Sequence, residues 1–389
     1  MPSSPPTTRF PSLRLRIARR SHLLAAALAV GACTETTSGP EADQPLDIDL
    51  ALPWSTAAVA DIGGSPALVE RGIDRARANH RMRSLLVVKD GRLVVEEYFG
   101  VGGPDDLHDV RSVTKSVVSA LAGIALARGD IKSLDDPATD YLGPLVPDLD
   151  PEKRAITIRH LLTMTSGLEW DESGGFGSYS EWIRSRDHLG FLLDKPFVAA
   201  PGSRFNYNSA AVHLLGVVVE QATTMQLPTL AQFALFDPMG ISRSRWESLG
   251  GGFHNGGAGL DLRPRDLARF GQLFLQRGSS GGRRIMPADW VDISSENGAG
   301  WRIGAGSLDG ISSLGGTSYG YLWWVAPGAP EPLYFAWGYG GQFVVVVPDL
   351  RLVAVATNDW YRVSNDGGAG LYERLTMDVL VEDIIPAFR

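Results

Sequence analysis

The chain has 389 residues, 44% of them hydrophobic, and a mean hydropathy of −0.02, which suits a globular protein with one large core or two lobes. A formal net charge of −8 and a pI of about 5.4 exclude the basic surface that nucleic-acid binding requires. One cysteine, Cys33, excludes a disulfide within the chain.

Arg14, Arg16, Arg19 and Arg20 precede the apolar run 23–32, a charged segment followed by an apolar one too short to span a bilayer. The run ends at Val30, Gly31, Ala32 and Cys33. This pattern resembles a bacterial lipobox, whose cysteine is lipidated and becomes the mature N-terminus; a plain secretory signal with a chance cysteine is the other reading. Arg19-Arg20 makes a poor twin-arginine signal, because His22 stands where such signals carry a bulky apolar residue. Residues 1–33 are therefore expected to be a lipoprotein signal. The expected location is the bacterial cell envelope, on the periplasmic side, with membrane contact through the N-terminal lipid only. Residues 34–50, rich in Thr, Ser, Glu, Asp and Pro, are expected to be a flexible tether, and 51–389 the folded domain.

Within that domain, the runs 84–89 and 92–96 flank Asp90-Gly91, a strong short-range hairpin signal. A helix follows from Ser112, with Val113, Val117, Leu121, Ile124 and Ala125 at helical spacing and Gly129 where a C-cap belongs. Residues 134–137 begin a loop-rich region, and 156–162 start a helix that ends at Thr165-Ser166-Gly167. The stretches 210–223 and 264–277 carry helical apolar spacing, with the glycine-rich loop 250–259 between them. Strand patterns return at 320–325, 342–347 and 352–357, the last two forming a hairpin, and 371–385 reads as a closing amphipathic helix. Strands at both ends and helices between predict an α/β (α+β) fold: an antiparallel sheet flanked by helices, built from both chain ends, with an inserted all-α subdomain. The α/β lobe would hold about 81–130 and 300–389, and the helical lobe about 131–299, with a ligand cleft between them.

Ser112-Val113-Thr114-Lys115 places a hydroxyl and an amine on one helix face, a turn apart. A serine is a weak nucleophile until a base removes its proton, and a lysine is a base only when burial or nearby positive potential lowers its pKa. The bland reading is a capping serine with an exposed lysine. The apolar run behind it favours a buried lysine facing a site, since an unpaired buried ammonium is costly. Tyr207, on a polar turn before a helix, is either a capping-region aromatic or a proton relay beside that lysine, which would ease loss of the phenolic proton. Gly338-Tyr339-Gly340-Gly341-Gln342 opens a late strand and is either a tight turn or a place where backbone N–H groups meet a substrate. His80, His108, His160, His188, His213 and His254 show no metal-ligand spacing, and neither a metal nor a cofactor is expected. His254 could line the cleft. Asp171, Glu172 and Glu181 could meet a cationic substrate group.

Together Ser112-Val-Thr-Lys115, Tyr207-Asn208-Ser209 and Gly338–Gln342 resemble, in order and separation, the class C β-lactamase and penicillin-binding-protein-like serine hydrolases. Residues 134–137 and 156–168 are similar to the framework of that family. The stretches 205–216, 319–324 and 334–348 look closest to 6-aminohexanoate-dimer hydrolases and related esterases. The resemblance implies a β-lactamase/transpeptidase-like fold. It makes Ser112 the acylated nucleophile, Lys115 its base and Tyr207 the proton relay, with the N–H groups of Ser112 and either Tyr339 or Gly341 holding the oxyanion. Gly338, Asn208, Ser209 and Trp170 would complete the substrate site. Two places depart from the family pattern. Ser209 stands where Asn is usual, and Ala336-Trp337-Gly338 lacks the lysine that meets a β-lactam carboxylate. The expected activity is hydrolysis of small-molecule esters or small amides. The alternatives are a D-amino-acid peptidase, a β-lactamase, or a non-catalytic cell-envelope binding protein of the same fold; the oligomeric state is open.

Overall fold

The computed structural model describes residues 46–147, 149–172, 177–296, 303–363 and 368–389, so the expected signal, Cys33 and most of the tether lie outside the described residues. The strands are β1 (Met82–Lys89), β2 (Arg92–Tyr98), β3 (His108–Asp109), β4 (Arg245–Trp246), β5 (Leu260–Leu262), β6 (Ser279–Ser280), β7 (Arg283–Arg284), β8 (Ser318–Tyr319), β9 (Trp324–Ala326), β10 (Leu333–Gly338), β11 (Gln342–Val347) and β12 (Leu352–Asn358). The helices are α1 (Pro66–Ala78), α2 (Val113–Arg128), α3 (Ile158–Leu162), α4 (Gly177–Trp182), α5 (His188–Leu193), α6 (Ser209–Thr223), α7 (Leu227–Ala231), α8 (Pro264–Leu275), α9 (Ala288–Ser295), α10 (Trp360–Val363) and α11 (Ala369–Val379). None of them is long and apolar enough to cross a membrane.

Seven strands form one antiparallel sheet in the order β2-β1-β12-β11-β10-β9-β8, drawn from both ends of the chain as expected. At the Asp90-Gly91 turn both residues have positive φ, 51° and 73°, the geometry that suits the right-handed twist of a two-residue hairpin. β11 and β12 are buried along their whole length, which explains their unbroken apolar runs. α2 is apolar on every face and is buried from Val113 to Ala125, packed against α6 and β10. Around α6 gather α3, α4 and α5, the core of the helical region.

Four boundaries differ from the sequence reading. Of the 320–325 stretch, 320–323 are a turn between two short strands, β8 and β9, and only 324–325 lie in a strand. Leu322 is held at φ 61° because its N–H donates to Leu162 O (3.1 Å) and its carbonyl accepts from Ser116 Oγ (2.7 Å). α8 lies on β12, β11 and β1, so it belongs with the sheet and not with the helical lobe. α1, before residue 81, also belongs there: Arg71 and Arg75 reach the fully buried Asp383 at 2.5 and 2.6 Å. The closing helix ends at Val379 and continues as a wider turn over Leu380–Ile384 and a tighter one over Ile385–Phe388. At the end of the expected tether, Ile48 N–H donates to Gln276 Oε1 (3.2 Å) and Leu50 N–H to Ser280 Oγ (2.8 Å).

α8 approaches the sheet through Gly271, where a Cβ would stand 2.6 Å from Val353 Cγ1 and 2.8 Å from Val344 Cγ1. Gly271→Leu should lower stability by about 1–3 kcal/mol through overpacking, read as a lower urea midpoint with unchanged slope. An unchanged midpoint would show that the helix is not clamped at this glycine.

Candidate active site

The chain enters the site through a strained step. β3 pairs with β5, Val110 N–H donates to Leu260 O (2.9 Å), and Arg111 then adopts φ 49°. A non-glycine residue there costs about 1–3 kcal/mol unless its surroundings hold it. They do: Arg111 N–H donates to Asp109 Oδ1 (2.8 Å), and its guanidinium stacks 4.0 Å from the Trp360 ring centre. The turn delivers Ser112 to the N-terminus of α2, where helix N–H groups and the macrodipole favour negative charge.

One turn on, Lys115 is 1% exposed. Its Nζ lies 2.7 Å from Ser112 Oγ, donates to Gly257 O at 2.7 Å, and sits 4.8 Å from the centre of the Tyr207 ring. Burial, with a smaller contribution from the Arg111 charge, lowers its pKa to about 7 against the opposing pull of Glu172. With one N–H given to Gly257, the lone pair of a neutral amine is available to the Ser112 hydroxyl. Gly257 is itself held by Asn255, wholly buried, whose Oδ1 accepts from the N–H groups of Gly257 (3.0 Å) and Ala258 (3.2 Å). A Cβ on Gly256 or Gly257 would stand 2.6 Å from Val212 O or Ser209 O, so only glycines let this loop lie on the first turns of α6. In sequence, 250–259 reads as a glycine-rich loop, and its hold on the lysine shows only in the fold. The signal was there in Asn255-Gly256-Gly257, glycines flanked by a residue able to cap them.

Tyr207 packs against Trp324 at 6.1 Å between ring centres and lines the same cavity as Ser112. Its pKa moves opposite to the expectation. Burial and the negative charge of Glu172 hold the phenol well above its ordinary value of 10, outweighing the opposing influence of the Ser112 side chain. The expected help from a lysine ammonium fails because that lysine is itself driven toward neutrality. Asn208 does not substitute for the usual Asn: it is 1% exposed and caps α6, its Oδ1 accepting from Ala211 N–H (2.9 Å). Ser209 turns to Glu172, donating through Oγ (2.5 Å) and N–H (2.8 Å), and Trp170 Nε1 donates to the same carboxylate (2.8 Å). Trp170 and Ser209 thus stand behind Glu172, and His254 lies 3.6 Å from Glu220, away from the cavity lining.

The end of β10 closes the other side. At Gly338 a Cβ would stand 2.3 Å from Val110 O, so this glycine permits the strand to touch the segment before Ser112. Gly341 N–H donates to Gly338 O (3.1 Å) and Gly340 N–H to Glu373 Oε1 (2.9 Å), which spends the Gly341 alternative inside the turn. A cavity of about 370 Å³ opens over Ser112. Phe205, Tyr207, Trp324, Trp337 and Tyr339 supply aromatic walls, Asp171, Glu172 and Glu373 supply the charge, and among the described residues no lysine or arginine lines it. Among the described residues no three His, Cys, Asp or Glu side chains are grouped to hold a metal ion.

Gly338→Ala should push β10 off Val110 and lower stability by about 1–3 kcal/mol through the forced contact, read as a lower urea midpoint. An unchanged midpoint would show that the close approach is not needed.

The family model described as Beta-lactamase matches residues 69–377. Esterase EstB of Burkholderia gladioli is 32% identical over 208 residues, 48% of this chain and 53% of that protein, so the match spans about half of its length. The 6-aminohexanoate-dimer hydrolase of Paenarthrobacter ureafaciens is 25% identical over 316 residues, covering 75% of this chain and 76% of that one. The octameric penicillin-binding protein homologue from Pyrococcus abyssi shares the fold, with a TM-score of 0.63 over 83% of this chain and 78% of that one at 19% identity. A match that runs from α1 into α11 takes in the sheet, the helical region and the Ser112 site together, and the chain belongs to the Beta-lactamase family.

Proposed function

We propose that the protein is a serine hydrolase that cleaves esters or small amides through an acyl-enzyme on Ser112. The observation that carries this reading is the buried Lys115 amine, 2.7 Å from Ser112 Oγ and near neutrality. Lys115 takes the Ser112 proton as Oγ bonds to the substrate carbonyl carbon. The N–H groups of Ser112 and Tyr339 receive the developing oxyanion. As the intermediate collapses, the C–O or C–N bond breaks and the leaving atom takes a proton through the Tyr207 phenol, replenished from the Lys115 ammonium. Water then attacks the acyl group, giving its proton to Lys115, and Ser112 leaves with a proton restored. A phenol held protonated suits Tyr207 as the donor, and a neutral amine suits Lys115 as the base.

The cavity supports neutral or amine-bearing substrates. Among the described residues three carboxylate side chains and no cation line it, so a substrate carboxylate would meet repulsion from them where β-lactams and peptide C-termini need a positive partner. That favours ester or small-amide cleavage over β-lactamase or D-amino-acid peptidase action. Relatives named as an esterase and as a 6-aminohexanoate-dimer hydrolase accord with it. A non-catalytic binding role would give no reason to bury a lysine against a serine. We also propose envelope localisation through a lipid on Cys33, on the sequence pattern alone; Cys33→Ser should move the protein from the membrane to the soluble fraction.

Ser112→Ala should abolish p-nitrophenyl ester turnover and labelling by a fluorophosphonate, and full retained activity would end the acyl-enzyme reading. For the wild type, kcat/KM should rise with pH as Lys115 loses its proton, falling tenfold per unit below about 7 and levelling above it. A pH profile flat from 5 to 9 would remove Lys115 as the base.

A further inference from the structure

Glu373, on α11, has no part in the reaction as drawn, yet it is 5% exposed and lines the cavity. Oε1 accepts from Gly340 N–H (2.9 Å), and Oε2 accepts from the Ser307 hydroxyl. One carboxylate thus ties two separate pieces of chain to one helix. The first is the turn after β10. The second is the segment 304–309, whose Gly304, Ala305 and Gly306 line the cavity. The second piece is fastened again where Arg374 Nη1 donates to Asp309 O (3.0 Å) and Ala305 N–H to Asp309 Oδ1 (2.7 Å).

Gly340 and Gly341 have φ of 79° and 94°, and a diglycine has wide conformational freedom. An oxyanion donor must be placed to within a few tenths of an ångström. The diglycine is fastened at both ends by buried side chains: Glu373 on the N–H of Gly340, and Asn358 Nδ2 on the carbonyl of Gly341 (2.7 Å). Fixing the Gly340 N–H fixes the peptide unit directly after Tyr339, and so limits how far the Tyr339 N–H can turn. A buried carboxylate is costly unless it is bonded, and these two donors are what it is bonded to.

We propose that Glu373 is a positioning residue that sets the Gly338–Gly341 turn, and with it the Tyr339 N–H, against Ser112, while anchoring the 304–309 wall to the same helix. The inference rests on the acyl-enzyme reading above. Its test compares Glu373→Ala, Glu373→Gln and Glu373→Asp with the wild type, measuring p-nitrophenyl ester kinetics, thermal midpoint, and inhibition by phenylboronic acid, whose tetrahedral serine adduct needs the oxyanion donors. Glu373→Ala should lose ~10²-fold in kcat/KM and a similar factor in boronate affinity, mostly in kcat, with the pH limb near 7 unmoved. Glu373→Gln keeps a carbonyl oxygen for Gly340 and should recover most of both. Glu373→Asp, too short to hold both partners, should fall between and guards against an alanine variant that fails to fold. The proposal is overturned if Glu373→Gln falls as far as Glu373→Ala, if boronate affinity stays constant across the series, or if Glu373→Asp matches the wild type. Ser112→Ala run alongside separates the two claims, because full activity there refutes the acyl-enzyme whatever the Glu373 variants do.

Discussion

An amine that must be buried and uncharged is the constraint around which this structure is organised. Lys115 sits on a helix with no polar face, so its ammonium would have neither water nor a carboxylate in direct contact. Desolvation acts on it more strongly than the Glu172 field does, and the α2 N-terminus and Arg111 push the same way. A lysine so placed is unfavourable for stability in its charged form and effective as a base in its neutral form; one burial produces both consequences. The single hydrogen bond to Gly257 matters because it orients the amine without neutralising a charge. A carboxylate in that place would hold the ammonium and remove the base.

The groups gathered around the Ser112 cavity and the Lys115 behind it come from distant parts of the chain. Ser112 arrives on the strand-to-helix step after β3, Tyr207 on the turn before α6, Gly257 on the loop before β5, and Tyr339 at the end of β10. Their convergence depends on close backbone approaches that glycine alone permits. Gly257 lies on α6, and Gly338 lies on Val110. These are contacts of main chain with main chain, stiffer than any between side chains, which suits a site where donors must be placed before substrate arrives. The acid-bearing helix α11 then braces the one segment, the diglycine, whose sequence would otherwise leave it loose.

What could be read from sequence was what is local or periodic. The hairpin at Asp90-Gly91, the apolar helix after Ser112, the paired strands 342–347 and 352–357 and the Ser-x-x-Lys spacing each lie within one short window, so pattern and chemistry suffice. What could not be read depends on neighbours far along the chain. The bend at Leu322 is closed by Gly320 and Trp323 and tied down by Leu162 and Ser116, which lie far along the chain. α8 looks like any amphipathic helix, and only Gly271 against Val353 and Val344 tells that its partner is the sheet. Tyr207 was expected to lose its proton readily because a lysine stands beside it. The opposite direction follows once that lysine is seen to be uncharged and Glu172 to be close. Asn208 has the residue type for a substrate contact but spends its side chain on the helix it begins.

The charge pattern of the cleft follows from the same geometry. Where the family's strand motif would supply a cation, the chain carries Ala336, and among the described residues the charged side chains around the cavity are Asp171, Glu172 and Glu373. Glu172 and Glu373 are not loose surface acids. Each is bound by at least two donors, Glu172 by Ser209 and Trp170, Glu373 by Gly340 and Ser307. Carboxylates held this way keep their positions when a ligand enters, so the field they set up is part of the site. A cation in the strand motif would have been attracted to them and would have raised the charge near Lys115, lowering its pKa further. The methyl side chain of Ala336 in its place has neither effect. Lys115 keeps a pKa close to neutrality, and among the described residues the charge that faces the cavity is negative.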